Sequence, residues 1–152
     1  MEVRPGAGLG FVQFHMYTMP RAGYAIIGLV PTGTSVNDHD YPGKESDFGS
    51  CGWNSSGRAY WTLCNPPPPH GAVKFLEGDY VLLVLDCRAD PLVRLMVNNQ
   101  PCLVHSLTAK PGTVLFPSVA LFADSHFSKL GKACVVHAEP ALLPSGWDIL
   151  PS

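Results

Sequence analysis

The chain has 152 residues with a formal net charge of −2 at pH 7, and its residues are 46% hydrophobic and 14% charged. These values suit one compact globular domain and exclude an intrinsically disordered chain. The near-neutral charge gives no electrostatic basis for binding nucleic acid or an anionic membrane surface.

Signals for secretion and membrane insertion are not apparent, which predicts a cytoplasmic protein. No apolar run approaches the roughly 20 residues that span a bilayer, and residues 1–10 lack the apolar core of a signal peptide. The five cysteines are odd in number and form no C-x-x-C pair, so reduced thiols are expected. The sequon at Asn54 is therefore expected to be an ordinary turn and not a glycosylation site.

In chain order, a flexible lead-in at residues 1–10 is followed by short apolar segments that Gly and Pro separate. Strands are predicted at Phe11 to Tyr17, Tyr24 to Val30, Arg58 to Leu63, Tyr80 to Leu85, Leu92 to Val97, Cys102 to Leu107, Val114 to Phe122 and Ala133 to His137. A Pro-rich tail occupies residues 139–152. No window keeps a helical period, so the chain is predicted to be all-β, as a sandwich or a barrel.

The segment from Phe75 to Asn99 predicts a buried hairpin. Tyr80 to Leu85 is an unbroken apolar run, which favours a strand that is covered on both faces. Leu92 to Val97 alternates between two faces, and Asn98-Asn99 predicts a tight turn because Asn tolerates positive φ. Such a hairpin is a scaffold element, and the functional residues are expected on loops.

Three features before this hairpin carry expectations of their own. Gly28 lies inside a predicted strand, where a glycine indicates close approach of another backbone segment or a bend. Trp53 and Trp61 are predicted core residues, with Trp53 the one expected to reach the rim of a pocket. Residues 31–50 form a long polar stretch, and a loop of this length in a compact domain is usually functional or mobile.

Five motifs occur in the order in which they occur in the SPRY domain family, and each resembles its counterpart there. They are Ala25 to Val30, Cys51 to Asn54, Gly57 to Tyr60, Gly78 to Asn99 and Leu115 to Val119. The resemblance is nearest to the SPRY domains of SOCS-box and F-box proteins. It implies a bent two-sheet antiparallel β-sandwich of the concanavalin-like jelly-roll type over residues 11–138.

Two departures from the family pattern matter for function. The family carries a further strand and a pocket-lining loop before the position of Phe11, and its Trp-Gly after the last motif is Ala123-Asp124 here. The general binding surface is therefore expected to carry over, whereas the family's partner specificity is not.

The resemblance implies that loops at one end of the sandwich bind a short extended segment of a partner protein. Tyr41 is the leading candidate contact, because tyrosine offers a large rigid face and a hydroxyl; the alternative is that it packs back on the sandwich. The other predicted partner contacts are Asp38, Asp40, Pro42, Lys44, Phe122, Asp124 and Ser125. Phe122 is alternatively the last core residue of its strand. The acidic residues near Tyr41 either attract a basic peptide or form a solvated loop.

These observations predict a non-catalytic interaction module, monomeric and without metal or cofactor, that serves as the substrate-recognition part of a ubiquitin ligase or as a scaffold. One alternative is a carbohydrate-binding, lectin-like sandwich, since lectins carry aromatic and Asp-bearing loops on similar folds. Another is a Cys/His-dependent enzyme, whose residues only the fold would bring together. The sequence has no closely spaced zinc-ligand pairs and no Gly-x-Ser-x-Gly or His-Glu-x-x-His motif.

Overall fold

The computed structural model describes residues 1–18, 25–32, 42–43, 50–61, 69–110, 112–121 and 132–136. In these ranges the regular structure consists of nine β-strands. The strands are β1 (Gly8–Thr18), β2 (Ala25–Pro31), β3 (Cys51–Asn54), β4 (Ala59–Trp61), β5 (Tyr80–Cys87), β6 (Leu92–Val97), β7 (Gln100–Ser106), β8 (Leu115–Leu121) and β9 (Lys132–Val136). None of the described residues forms a helix that is long and apolar enough to cross a membrane.

The strands form two antiparallel sheets that pack against each other around one apolar core. The first sheet has the order β7-β6-β5-β1-β9, and the second has the order β4-β3-β2-β8. Neither sheet closes on itself among the described strands. Of the two predicted all-β architectures, the two-sheet antiparallel sandwich is therefore confirmed.

The predicted hairpin lies in the middle of the first sheet. β5 pairs with β6 on one side and with β1 on the other, and every residue of β5 after Tyr80 is buried. Val81 and Leu83 lie in the core between the sheets, whereas Leu82 and Val84 belong to a second apolar cluster on the outer face. The apolar run is unbroken because both faces of this strand are covered, as the sequence predicts.

The turn between β6 and β7 is formed by Asn98 and Asn99, whose φ angles are 49° and 64°. Two consecutive positive φ angles are typical of a two-residue type I′ hairpin. The side-chain amide of Asn98 donates to Asp79 Oδ1 at 2.8 Å, and its Oδ1 accepts from the backbone N–H of Tyr80 at 2.9 Å. The predicted tight turn is confirmed, and it also fixes the beginning of β5.

Trp53 lies in the core between the sheets with 0% of its surface exposed. Its indole nitrogen is buried and has no hydrogen-bond partner among the residues that the structure describes. The prediction of a core residue is confirmed, but the expectation that Trp53 reaches a pocket rim is wrong, because β3 directs Cys51 and Trp53 inward. The side chain of Trp61 lies outside the described part of the chain.

The first residues of the chain belong to the sandwich, which corrects the prediction of a separate lead-in at residues 1–10. β1 begins at Gly8. The backbone N–H of Leu115 donates to the carbonyl of Met1 at 2.9 Å, and Val3 is only 3% exposed. The sequence pattern does not reveal this pairing, because the two partners are 114 residues apart.

Asp86 holds a charged cluster on the outer face of the first sheet. Its carboxylate accepts two hydrogen bonds from the Arg88 guanidinium, from Nε at 3.0 Å and from Nη2 at 2.9 Å. It accepts a third from Arg94 Nε at 3.0 Å. The position of Asp86 near the end of β5 therefore lets its carboxylate join β5, β6 and the turn between them.

Both edge strands of the second sheet have features that limit further pairing. The backbone N–H of Ala59 in β4 donates to Nδ1 of His70 at 3.1 Å, and the N–H of Gly71 donates to the carbonyl of Gly57 at 2.7 Å. At the opposite edge, β8 contains Pro117, which has no N–H to donate.

Candidate functional site

Two glycines and a tyrosine lie side by side in a row across the outer face of the second sheet. Gly28 of β2 is in register with Gly52 of β3, and Gly52 is in register with Tyr60 of β4. Ile27 and Trp53 point into the core, so the glycines that alternate with them face outward. We call Gly28, Gly52 and Tyr60 the glycine row; two of its three positions lack side chains, which leaves a shallow trough.

Pro42 lies in this trough and is buried. A Cβ added to Gly28 would come within 2.6 Å of Pro42 Cβ, and one added to Gly52 would lie 3.0 Å from the same atom. Contacts this short leave no room for any side chain at either glycine. The close backbone approach predicted from Gly28 is therefore confirmed: a Cβ there would lie nearest the Cys51 carbonyl oxygen of β3, and the Pro42 side chain packs over the same position.

Gly43 fixes the same segment against β4. Its φ is +87°, which favours glycine, and a Cβ there would lie 2.5 Å from Tyr60 Cβ. Its backbone N–H donates to Oγ of Ser50 at 2.8 Å. The long polar stretch at 31–50 is thus attached to the sheet at Pro42 and Gly43, immediately after Tyr41.

Asn54 organises the turn from β3 to β4. Its Oδ1 accepts from the backbone N–H groups of Ser56 at 3.1 Å and Arg58 at 2.8 Å, and its Nδ2 donates to the Tyr60 hydroxyl at 3.4 Å. Asn54 is buried. The sequon is therefore an ordinary turn, as predicted, because its amide is buried and already hydrogen-bonded.

Arg58 adds a positive charge to this face. It is exposed, and its guanidinium carbon lies 5.2 Å from the centre of the Tyr60 ring, which is cation–π geometry. Sequence reasoning places Arg58 only as the first residue of a strand. The sequence feature that could have identified Arg58 as a surface residue beside Tyr60 is their i, i+2 spacing, which puts both side chains on one face of a strand.

The structure describes one of the eight predicted partner contacts. Pro42 is buried against the glycine row, so its side chain serves to hold the loop. Tyr41, Asp38, Asp40, Lys44, Phe122, Asp124 and Ser125 lie outside the described residues, and their contact roles stay predictions. The second predicted loop follows Leu121, which pairs with Ala25 at the end of the sheet where the β3–β4 turn lies.

The described residues contain little that suits catalysis. A cavity of about 220 Å³ lies between the sheets, and every side chain that lines it is apolar or glycine. Burial raises the pKa of the Cys87 thiol, and the charge of Asp86 acts in the same direction, which disfavours the reactive thiolate. Within the described ranges, no group of three His, Cys, Asp or Glu residues is arranged to hold a metal ion.

Comparison with known proteins gives matches in structure. A scan against protein-family models and a search of curated proteins find no match. The crystal structure of the SPRY domain of human HERC1 matches with a TM-score of 0.62 at 17% sequence identity, covering 89% of this chain and 77% of that chain. A second human SPRY domain matches with a TM-score of 0.59 at 14% identity, covering 88% and 79%. The chain therefore has a SPRY-like fold, as the sequence resemblance implies.

Proposed function

We propose that the chain is a non-catalytic, cytoplasmic interaction module that binds a short extended segment of a partner protein on the outer face of the second sheet. The observation that carries this proposal is the fixed position of Pro42 and Gly43 across the glycine row. Tyr41 directly precedes these anchored residues. A contact residue next to a fixed backbone loses less conformational entropy on binding, which favours affinity.

The SPRY-like fold supports an interaction role, because loops at one end of this sandwich bind partner segments in the family that the sequence resembles. In the SOCS-box and F-box proteins of that family, such binding recognises substrates for a ubiquitin ligase. We propose substrate recognition of this kind, or a scaffold role, by a monomer. The partner segment docks against Tyr41 and the loop that follows Leu121 and bonds to loop backbone.

Two substitutions test the site from different directions. Tyr41→Ala is expected to weaken peptide binding by about tenfold or more, because interface tyrosines are frequent hot spots. Gly52→Ala adds a Cβ whose nearest neighbours are all atoms of Pro42, so it is expected to displace the anchored segment and weaken the same binding. The measurement is fluorescence polarisation with a 12-residue peptide selected on the wild-type protein from a random phage-displayed library.

Gly10→Ala is the matched control for the added methyl group. The nearest atoms to a Cβ at Gly10 belong to the Met1 side chain, at 3.2 Å for Sδ, and this position lies away from the glycine row. Both test variants should unfold cooperatively in urea. Selection of no peptide by the wild type, or equal affinity for wild type and Tyr41→Ala, would contradict the proposal; specific signals on a glycan array would instead favour the lectin-like alternative.

A further inference from the structure

We infer that the partner segment carries a carboxylate side chain and that Arg58 binds it, an inference that rests on the proposed function and names the partner's chemistry. Arg58 is exposed on the same outer face as the anchored Pro42 and Gly43. Its guanidinium has five N–H donors in a planar arrangement that matches a carboxylate.

Arg58 differs from the other described arginines in its surroundings. Arg4 pairs with Glu2, and Arg88 and Arg94 both pair with Asp86. Among the described residues, the Arg58 guanidinium has a contact with the Tyr60 ring and no carboxylate within ion-pair distance. No carboxylate of the described residues therefore competes with an incoming group for these N–H donors.

The position of Arg58 is fixed from two sides. Its backbone N–H is held by Asn54 Oδ1 at 2.8 Å. The Tyr60 ring beneath its guanidinium is held in turn by the Asn54 amide on the hydroxyl and by Gly43 close to its Cβ. An arginine stacked on a supported ring loses less side-chain entropy on binding an anion than a free one does.

Arg58 lies at the β4 edge of the face that Pro42 and Gly43 cross. It follows the β3–β4 turn and lies beside Asn54. Asn54 begins a row across the sheet, in register with Ile26 of β2, which is in register with Ala120 of β8. This row ends one residue before Leu121, where the second loop begins. An extended peptide that lies along this row therefore spans the face from Arg58 at the β4 edge to the end of β8.

The test is a charge-swap selection. A random 12-residue peptide library on phage is selected in parallel on wild type, Arg58→Gln and Arg58→Glu. The peptides selected on wild type are expected to be enriched in Asp or Glu at one position of their shared motif. Those selected on Arg58→Glu are expected to be enriched in Lys or Arg at that position, and those selected on Arg58→Gln are expected to show neither preference. For the best wild-type peptide, replacing that acid by its amide should weaken binding about tenfold to wild type and hardly at all to Arg58→Gln.

Lys110→Gln is the matched control, because it removes the same charge from an exposed residue outside this face. It should leave the acid preference unchanged. A wild-type pool without acidic enrichment, an acid preference that persists in Arg58→Gln, or an equal loss in Lys110→Gln would overturn the inference while leaving the proposed function standing. A wild-type selection that yields no peptide would overturn both.

Discussion

At the scale of single residues, Asp86 is 1% exposed and accepts hydrogen bonds from both Arg88 and Arg94. Burial by itself raises the pKa of Asp86. The hydrogen bonds from Arg88 and the charges of both arginines act in the opposite direction and prevail, so the pKa of this carboxyl lies below its ordinary value. The ionised carboxylate therefore stabilises the folded state.

Asp86→Asn is expected to lower the free energy of unfolding by about 3 kcal/mol at pH 7, because it removes the shared carboxylate from two partly buried guanidinium groups. Urea unfolding measures the change. Asp90→Asn, in the exposed turn of the same hairpin, is the control and is expected to change the free energy by less than about 0.5 kcal/mol.

The same pair of proteins tests the pKa of Asp86. Because the folded-state pKa is lower than the unfolded one, the stabilisation is complete above the unfolded value of about 4 and is lost as pH falls through the folded value. The difference in free energy between wild type and Asp86→Asn should therefore be constant at neutral pH and shrink on acidification below about pH 4. A difference that persists at low pH would contradict the depressed pKa.

Arg58 and Tyr60 illustrate what sequence reasoning misses at this scale. The i, i+2 spacing is visible in the sequence, but it matters only because Asn54 and Gly43 support the Tyr60 ring from elsewhere in the chain. Tyr41, in contrast, is identified by its residue type and its place in a long polar stretch, and its contact role stays a prediction.

At the scale of elements, the two asparagines of the Asn98-Asn99 turn contribute to it in different ways. Both residues adopt positive φ, which costs an L-residue free energy that glycine does not lose. Only Asn98 also uses its side chain, which bonds to Asp79 and Tyr80. The turn therefore predicts opposite effects for the same substitution at neighbouring positions.

Asn99→Gly is expected to raise the free energy of unfolding by up to about 1 kcal/mol, because it relieves left-handed backbone in an L-residue. Asn98→Gly is expected to lower it by about 1 kcal/mol, because two hydrogen bonds are lost. Thermal unfolding of both variants provides the comparison, and each serves as the other's control. Shifts of the same sign would show that the Asn98 side chain does not hold β5.

Individual strands could be predicted from the sequence where the hydrophobic pattern of consecutive residues determines them. The apolar run of β5 and the alternation of β6 are properties of consecutive residues, and both hold in the structure. The packing of Pro42 across Gly28 and Gly52 is different, because it joins three segments that are distant along the chain. The only local sign of it is a glycine inside a strand.

At the scale of the whole molecule, sheet order depends on contacts between distant parts of the chain. β1 lies between β5 and β9, and β2 lies between β3 and β8. Periodicity predicts that the chain is all-β but does not give these neighbours, and the family resemblance supplied the sandwich. Neither the periodicity nor the family resemblance predicts that the first residues of the chain pair with the beginning of β8.

The N-terminal pairing makes a prediction for global stability. Val3→Ala is expected to lower the free energy of unfolding by about 1 to 2 kcal/mol, because it removes two buried methyl groups from the core. Val104→Ala makes the same chemical change at a residue that is 49% exposed and should cost less than about 0.5 kcal/mol. Equal unfolding midpoints for the two variants would show that the first residues do not contribute to the core.

The edges of the second sheet determine how a partner can approach. At β4, the outward-directed N–H of Ala59 is already bonded to His70, and at β8, Pro117 offers none. A partner strand that extends a sheet needs a row of free N–H and C=O groups along an edge. Neither edge presents such a row at these positions. Strand addition is therefore disfavoured at these positions, both for a ligand and for a second copy of the chain.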